Sequence, residues 1–263
     1  MSTSSIMSGL GSSLNTLDRI RAAQSSSIQK IATGSKYSSA ADGASDYAIL
    51  QRTYSNIGAV SQSNSNTQTS NAMLSTAAGA VNETVSSLSS LRSTLLNAAN
   101  GTNGTTDLSA LQKSVDQTIS AVNDNASVTY NGKQLLNGSQ SLTVAGADGY
   151  STVNLGNMTS QGLGLTDSEG KSTINLTDTS SLSSALEKVD SALSSALDQS
   201  TSLGAAQQGL SYQSSNYTTQ EEALYSTAST QGDTDIAAES VKKASADTQA
   251  QATHITNKAG MQN

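Results

Sequence analysis

The sequence contains no cysteine, proline, tryptophan or phenylalanine, and its only histidine is His254. The missing cysteines exclude disulfide scaffolds, thiol catalysis and cysteine-ligated zinc or iron–sulfur sites. A single histidine excludes a multi-histidine metal site. Hydrophobic residues make up 35% of the chain, whereas a globular domain usually has about 45–50%. A compact monomeric core built around a hydrophobic catalytic pocket is therefore not expected.

Charge and motif content exclude further classes of protein. The formal net charge of −7 argues against a nucleic-acid binder. No apolar run of about 18 residues is present, so we expect no membrane-spanning helix. The first residues lack the basic region and the continuous apolar stretch of a secretory signal, so we expect no cleaved signal peptide. No motif of a hydrolase, nucleotide-binding protein or metalloprotease occurs. The chain is therefore predicted to be no enzyme and to bind no cofactor or metal.

Two segments carry apolar residues at alternating steps of four and three, which is the 3.5-residue period of a coiled-coil seam. The absence of proline lets both predicted helices run without interruption. The first seam consists of Leu74, Ala78, Val81, Val85, Leu88, Arg92, Leu95 and Ala99, with Arg92 as a charged intruder. The second seam consists of Leu182, Leu186, Val189, Leu193, Ala196, Ser200, Leu203, Gln207 and Leu210.

Both ends of the chain carry much thinner apolar stripes. Neither stripe buries enough area to stabilise an isolated helix, so these segments can become ordered only by packing on another surface. Disordered tails are the open alternative. The residues concerned are Met7, Leu10, Leu14, Leu17, Ile28 and Ile31 near the start, and Ile236, Val241 and Ile255 near the end.

The middle of the chain contains most of the turn residues. Residues 100–104 (NGTNG) form a predicted loop, and Asp107 is the predicted N-cap of a helix that carries Leu108, Leu111, Val115, Ile119 and Val122. Between about residues 128 and 165 the pattern changes to β-formers and tight-turn pairs such as Asn131-Gly132. Residues 142–144 and 152–155 are predicted to form a hairpin. The fold class is therefore mainly α: a long antiparallel helical coiled-coil rod with a small β-hairpin segment.

Motifs along nearly the whole chain resemble those of bacterial flagellins, and they occur in the flagellin order. Residues 31–44 (IATGSKYSSAADGA) are similar to LSSGLRINSAADDAA, and residues 79–83 (GAVNE) to GALNE. Residues 130–138 (YNGKQLLNG) are similar to FNGKKLLDG. Residues 203–207 (LGAAQ) resemble the start of LGAVQNR, and residues 233–239 (DTDIAAE) resemble DADYATE.

This resemblance implies a domain organisation. Residues 1–43 with residues 228–263 correspond to the paired terminal helices that form the inner tube of a flagellar filament. Residues 44–227 correspond to the helical rod with its β-hairpin at about residues 128–165. Flagellins commonly carry outer domains inserted after the hairpin region, and here we expect none.

The resemblance also implies the function. We expect a structural subunit that self-assembles into the extracellular flagellar filament, the rotary propeller of bacterial motility. Its expected partners are further copies of itself, a flagellar export chaperone, and the cap and junction proteins. Export is expected through the flagellar type III channel. Two alternatives stay open: a hook–filament junction protein, and a secreted coiled-coil tip or adhesin protein.

Two surface features complete the expectations. Flagellins that Toll-like receptors sense usually read Gln-Arg-x-Arg-Glu on the first rod helix, whereas this chain has Ser89, Ser90, Arg92 and Ser93 there. Weak or no receptor recognition is therefore expected. Flagellins are also often O-glycosylated on the outer rod, although solubilising loop residues are the simpler interpretation. The candidate hydroxyls are those of Ser139, Ser141, Ser151, Thr159, Ser168, Ser172 and Thr173.

Overall fold

The computed structural model describes residues 3–146 and 149–262, and these residues are mainly helical, as predicted. Two short antiparallel hairpins lie between the helices. Single 3-10 turns precede α2 and α4, at Ala40–Asp42 and Thr179–Ser181. The helices are α1 (Thr3–Thr33), α2 (Ala44–Ala98), α3 (Thr105–Ala126), α4 (Leu182–Gly232) and α5 (Ile236–Gln262). The strands are β1 (Thr129–Tyr130), β2 (Lys133–Gln134), β3 (Ser141–Gly146) and β4 (Gly149–Asn154).

The chain divides into two compact units according to its internal contacts. The terminal unit comprises Met1–Gly58 and Gln220–Asn263, and the central unit comprises Ala59–Thr219. Helices α2 and α4 each contribute residues to both units. The predicted division at residues 43 and 228 concerns layers of a filament, so it stays a prediction.

In the terminal unit, α1 packs antiparallel to α5. The segments that follow α1 and precede α5 are joined by backbone hydrogen bonds, because the Lys36 amide donates to the Gly232 carbonyl (2.6 Å) and the Thr234 amide to the Gly34 carbonyl (2.8 Å). A separate small cluster, formed by Leu50, Ile57 and Ala228 with half-buried Tyr37 and Leu224, joins α2 to α4. This cluster contains all the fully buried apolar residues that α2 and α4 contribute to the unit.

In the central unit, α2 and α4 run antiparallel, with polar contacts along the edge of their interface. Among these, the Ser214 hydroxyl donates to Asn64 Oδ1 (2.6 Å), and Arg92 Nε donates to Asp190 Oδ1 (2.6 Å). Between them the Gln207 amide donates to the Ser75 hydroxyl (2.9 Å). The core of the unit is formed by α2, α3, α4 and the β segment.

The seam of α2 requires a correction to the predicted spacing. Leu74, Val81, Leu88 and Leu95 are fully buried, as the predicted seam requires. The buried residues between them, however, each lie one residue earlier than predicted. Ala77, Thr84, Leu91 and Ala98 are buried instead of Ala78, Val85, Arg92 and Ala99. A 3.5-residue period permits steps of either 4,3 or 3,4. The predicted seam used 4,3 because that spacing included Val85, whereas the buried residues follow 3,4. Thr84 can be buried because its hydroxyl donates to the Ala80 carbonyl (3.0 Å), which satisfies its polar group.

The same correction applies to α4. Leu182, Val189, Leu203 and Leu210 are buried, whereas Leu186 and Leu193 are half-buried at the edge of the core. The intervening buried positions are Ala185 and Ala192. Alanine therefore occupies these intervening positions of α4, whereas α2 has Ala77, Thr84, Leu91 and Ala98 at its own.

The start of α3 also differs from the prediction. The helix begins at Thr105, and Asp107 is its third residue rather than its N-cap. Its Oδ2 accepts a hydrogen bond from the Gly104 amide (3.0 Å). Asp107 therefore still satisfies a free amide at the helix N-terminus, and its charge is favourable next to the positive end of the helix dipole.

The predicted hairpin pairs β3 with β4, with Leu142 opposite Val153. The first hairpin, β1–β2, turns at Asn131-Gly132, where both residues have positive φ angles (50° and 75°). These angles are those of the type I′ turn that Asn-Gly favours. The loop after β4 is held by Gln112 of α3, which donates to the Ile174 carbonyl (3.1 Å) and accepts from the Leu176 amide (2.8 Å).

Candidate assembly site

The interface of α1 with α5 is only partly apolar. Among the described side chains of α1, Leu17 and Ile20 are the buried apolar ones, and Ile20 was not among the predicted stripe residues. On the described part of α5, Glu239 is the only buried residue. Ala246 and Ala250 are half-buried. Small and polar side chains therefore form most of the α5 side of the interface.

Two polar contacts connect the described parts of the two helices. The Ser27 hydroxyl donates to Glu239 Oε1 (2.8 Å), and Lys242 Nζ donates to the other carboxylate oxygen, Oε2 (2.9 Å). These donors, together with the charge of Lys30, hold the pKa of Glu239 below its usual value, the contact to Lys242 having the largest effect. Glu239 is therefore ionised near neutral pH, with one hydrogen bond to each of its carboxylate oxygens.

The second contact lies farther along α5. Gln24 Nε2 donates to Asp247 Oδ1 (2.7 Å), and Lys243 Nζ donates to Asp247 Oδ2 (2.8 Å). Both carboxylates that face α1 are thus paired with a lysine of α5 itself. The charge-assisted bonds are stronger than neutral ones.

Most of the predicted apolar anchors of the terminal helices stay at least half exposed although α1 and α5 are paired. Leu17 is buried and Ile31 is half-buried. The side chains of Met7 and Leu10 lie outside the described part of the chain. The exposed fractions of the remaining anchors are 54% for Leu14, 50% for Ile28, 52% for Ile236, 69% for Val241 and 71% for Ile255. Pairing of the two helices therefore leaves these anchors available to another surface.

The exposed face of α5 has a regular pattern that the sequence analysis missed. Small and apolar residues recur there at steps of 4, 3 and 4, and this pattern repeats after 11 residues, or about 3.7 residues per turn. We call this face the outer stripe. All of its residues are exposed: Ala237, Val241, Ala244, Thr248, Ala252, Ile255 and Ala259. The pattern is visible in the sequence, but alanine gives a weak hydrophobic signal.

The turn between α1 and α2 is held by side chains of the terminal unit. The Tyr37 hydroxyl donates to Asp46 Oδ2 (3.1 Å), and this hydrogen bond is the main cause that raises the pKa of Tyr37. Leu50 packs on Gly232, where a Cβ atom would lie 2.9 Å from Leu50 Cδ2. Glycine therefore permits the close approach of α2 to the end of α4.

The candidate receptor region lies on the exposed face of α2. Ser89, Ser90, Arg92 and Ser93 are all exposed. The Ser89 hydroxyl donates to the Val85 carbonyl (2.8 Å), and the Arg92 guanidinium is paired with Asp190. The single arginine of this region is therefore already engaged within the chain.

The candidate glycosylation residues fall into two groups. Ser139, Thr159, Ser172 and Thr173 use their hydroxyls in hydrogen bonds, and the last three are half-buried. The other three, Ser141, Ser151 and Ser168, are exposed and make no side-chain hydrogen bond to another described residue. The second group is the more accessible to a modifying enzyme.

The central unit also contains a polar cleft of about 440 Å³ next to α3, lined by residues such as Asp116, Ser120, Lys171 and Asn175. The described residues contain no group of three or more side chains suited to hold a metal ion. Within the same residues, no helix is both long and apolar enough to cross a bilayer. His254, the single histidine, is exposed on α5.

Comparison with known proteins gives consistent matches. A family model described as the bacterial flagellin N-terminal helical region matches residues 8–141, and one described as the C-terminal helical region matches residues 186–260. A flagellin of Clostridium tyrobutyricum is 33% identical over 132 residues, which are 50% of this chain and 35% of the relative. A flagellin of Serratia marcescens is 29% identical over 155 residues, 57% of this chain and 44% of the relative. The matched part spans less than half the length of these relatives.

Solved structures agree in fold. The crystal structure of Bacillus cereus flagellin has a TM-score of 0.51 at 23% identity and covers 58% of this chain and 88% of that one. A flagellar hook-associated protein from Vibrio parahaemolyticus has a TM-score of 0.61 at 18% identity, with coverage of 72% and 99%. Because the N-terminal family model alone matches more than half of the residues, the chain belongs to the bacterial flagellin family.

Proposed function

We propose that the chain is a structural, non-catalytic subunit that polymerises into the extracellular filament of a bacterial flagellum, where the filament acts as a rotary propeller. One observation carries this proposal: Leu14, Ile28, Val241 and Ile255 stay about half to three-quarters exposed although their helices are paired. Burial of these side chains against a further protein surface would be favourable, because it removes apolar area from water. Family membership supports other copies of the chain as the occupant.

Contacts of this kind favour an open polymer. The exposed anchors of α1 and the outer stripe of α5 are different surfaces, so a contact between them in two copies is heterologous. A heterologous contact whose rotation does not close a ring repeats without limit and produces a helical filament. Each added copy then buries the apolar area that a single chain leaves in water.

The arrangement within the filament is part of the proposal. Residues 1–43 with residues 228–263 form the inner tube, and residues 44–227 form the surrounding rod. The assignment is supported by the pairing of α1 with α5, because both helices lie entirely within the proposed tube segments.

Export and auxiliary partners follow from the family assignment. We infer secretion through the flagellar type III channel, with an export chaperone before assembly and with cap and junction proteins at the ends of the filament. No cofactor is needed for this role. A secretion assay in cells that lack the type III channel tests the route, and continued appearance of the chain in the medium would contradict it.

We also propose that Toll-like receptors recognise the chain weakly or not at all. Arg92 is the only residue of this region that matches a charged residue of the usual receptor-binding motif. Its guanidinium is paired with Asp190. Purified chain added to receptor-bearing reporter cells is expected to give little signal. Strong activation at the concentrations that suffice for a recognised flagellin would refute the proposal.

O-glycosylation of the central unit is a further proposal, limited to Ser141, Ser151 and Ser168 because these residues are exposed and their hydroxyls make no hydrogen bond to another described residue. Intact-mass and peptide-mass measurements on native filaments test it. A native mass equal to the sequence mass would exclude the modification.

The main experiment is electron microscopy of purified chain mixed with short filament seeds. Long tubes that grow from the seeds, and whose helical reconstruction fits this chain, are expected. Discrete particles without growth would contradict the filament role and favour a hook–filament junction protein or a secreted tip protein.

A further inference from the structure

The terminal helix pair has too little apolar contact to determine its own alignment. Leu17 and Ile20 are buried on α1, whereas the described part of α5 has Glu239 buried and Ala246 and Ala250 half-buried. When side chains at an interface are small and similar, a shift by one helical turn replaces each contact with an equivalent one. In coiled coils, a single buried polar residue resolves this ambiguity, at a cost in stability.

Glu239 has the properties of such a residue. It is 7% exposed, and each of its carboxylate oxygens accepts a hydrogen bond, one of them from Ser27 across the interface. A shift of one turn would move the carboxylate away from the Ser27 hydroxyl. A buried charge that loses a partner loses more stability than the hydrogen bond itself contributes.

The position of Glu239 also determines which face of α5 is outward. Val241 and Ile255 lie two and sixteen residues after Glu239, which at 100° per residue places them roughly 200° and 160° around the helix. Both are therefore nearly opposite Glu239. When Glu239 faces α1, the outer stripe faces away from it.

We propose that the Ser27–Glu239 contact is a positioning contact that sets the register and rotation of α5 on α1, and thereby selects the outer stripe as the surface offered to the next copy of the chain. The inference rests on the proposed filament function. In the contact between Gln24 and Asp247, a side chain of α1 likewise donates a hydrogen bond to a carboxylate of α5, and this contact supports the same alignment.

The first test replaces the carboxylate with an apolar group. Glu239→Leu removes both hydrogen bonds but fills the site, and such replacements of buried ions are often neutral or stabilising for the fold. If Glu239 serves only stability, seeded growth of the full-length chain should be unchanged. A positioning role predicts retained helix content by circular dichroism but growth slower by about tenfold or more, as for the loss of a charge-assisted hydrogen bond. Glu187→Leu, at an exposed position of the central unit, is the matched control.

The second test exchanges the partners. Ser27→Glu combined with Glu239→Ser reverses the hydrogen bond. Lys30 follows residue 27 by three positions, just as Lys242 follows residue 239, so the new carboxylate keeps a lysine on its own helix. We expect the exchange to recover most of the growth that Glu239→Leu loses. Ser27→Ala, a milder change, should give an intermediate rate.

The register itself can be measured because the chain has no cysteine. Ser13 and Thr253 line the same groove between α1 and α5. With Ser13→Cys and Thr253→Cys, a short thiol cross-linker should join the helices within one chain. In the Glu239→Leu background the yield of this cross-link should fall. The yield for Ser13→Cys with Asn257→Cys, which lies one turn farther along α5, should rise.

The outcomes separate the two proposals. If the unmodified chain does not extend seeds, the filament function fails. If it does, but Glu239→Leu and Ser27→Ala grow at the parent rate with the Ser13–Thr253 cross-link unchanged, the positioning inference is overturned and the filament function stands. If either variant loses helix content, the exchange variant decides: recovery supports the inference, and no recovery contradicts it.

Discussion

Single atoms control how closely the β3–β4 hairpin approaches α4. At Gly146, a Cβ atom would overlap the Tyr217 hydroxyl and would lie 3.2 Å from Gln213 Nε2. Tyr217 is 1% exposed, and its hydroxyl accepts a hydrogen bond from Gln213 (2.9 Å). The hairpin end and the tyrosine therefore fit together only because residue 146 has no side chain.

Gly146→Ala should destabilise the central unit by about 1–3 kcal/mol, the usual cost of overpacking a well-fitted site. Urea unfolding measures this change. Tyr217→Phe in the same chain should restore part of the loss, since it removes the overlapping oxygen. Gly79→Ala is the control, because a Cβ atom there meets nothing within 4 Å. It should stabilise α2 by about 0.5–1 kcal/mol. Equal effects of the two glycine substitutions would contradict the argument.

The ionised state of Glu239 makes the terminal pair sensitive to acid. Its pKa is lowered by the hydrogen bond from Lys242, by that from Ser27, and by the charge of Lys30. The stabilisation is therefore fully present above the pKa of an unfolded glutamate, about 4.3. It is lost as the pH falls through the lower pKa of the folded chain.

Glu239→Gln tests this dependence because glutamine resembles the protonated glutamate. Hydrogen–deuterium exchange of peptides from α5, compared between parent and variant at each pH, is the measurement. The variant should exchange faster near pH 7, and the difference should vanish as the pH falls well below about 4. A difference that stays constant down to that pH would show that the charge of Glu239 does not contribute. Glu187→Gln should show no pH-dependent difference in α5.

At the scale of single elements, the seam of α2 gives a direct test of the corrected spacing. Leu91 is fully buried and Leu96 is 49% exposed, although both are leucines in neighbouring turns of one helix. The predicted seam contained neither residue and placed Arg92 between them. Arg92 is exposed and pairs with Asp190.

Leu91→Ala should lower the free energy of unfolding of the central unit by about 2–5 kcal/mol, because it removes buried methyl groups and leaves a cavity. Leu96→Ala should change it by no more than about 0.5 kcal/mol, as for other exposed positions. Chemical denaturation followed by circular dichroism measures both. Similar losses at the two positions would reject the burial pattern of the seam.

The elements differ in how far the sequence could predict them. The helices of the central unit followed from leucine and valine at a 3.5-residue period, and the first hairpin turn from Asn131-Gly132, since these residue types have strong local preferences. The family motifs gave an assignment that the family models confirmed. The choice between Val85 and Thr84 could not be predicted, because it depends on a hydrogen bond within the helix and on the facing helix.

The terminal helices were predictable as helices but not in their orientation. Their interface is formed by Leu17, Ile20 and a buried carboxylate rather than by an apolar stripe on each helix. Hydrophobic periodicity cannot indicate that Glu239 faces inward. The outer stripe was missed for the related reason that four of its seven residues are alanines, whose apolar character is weak.

At the scale of the whole molecule, the apolar residues of α5 can be buried either against α1 in the same chain or against another copy of the chain. If Val241 and Ile255 faced α1, a single chain would be more stable but would offer less to its neighbours. The outward position of these residues therefore exchanges stability of the single chain for stability of the assembly. Because assembly binds only the folded form of α5, the apparent stability of this helix should rise with the concentration of the chain.

Val241→Thr combined with Ile255→Thr tests this role of the outer stripe. Threonine keeps the branched shape of each side chain but lowers the gain from burial, by about 1.5 kcal/mol per residue if both become fully buried. The chain concentration needed for seeded growth should then rise roughly a hundredfold. The unfolding of the unassembled chain should not change, because both positions are exposed there. The control, Val241→Ile with Ile255→Val, keeps the apolar surface and should grow near the parent rate. Growth of the threonine variant at the parent concentration would show that the outer stripe does not contact other copies, and that other exposed residues, such as Leu14 and Ile28, carry the assembly.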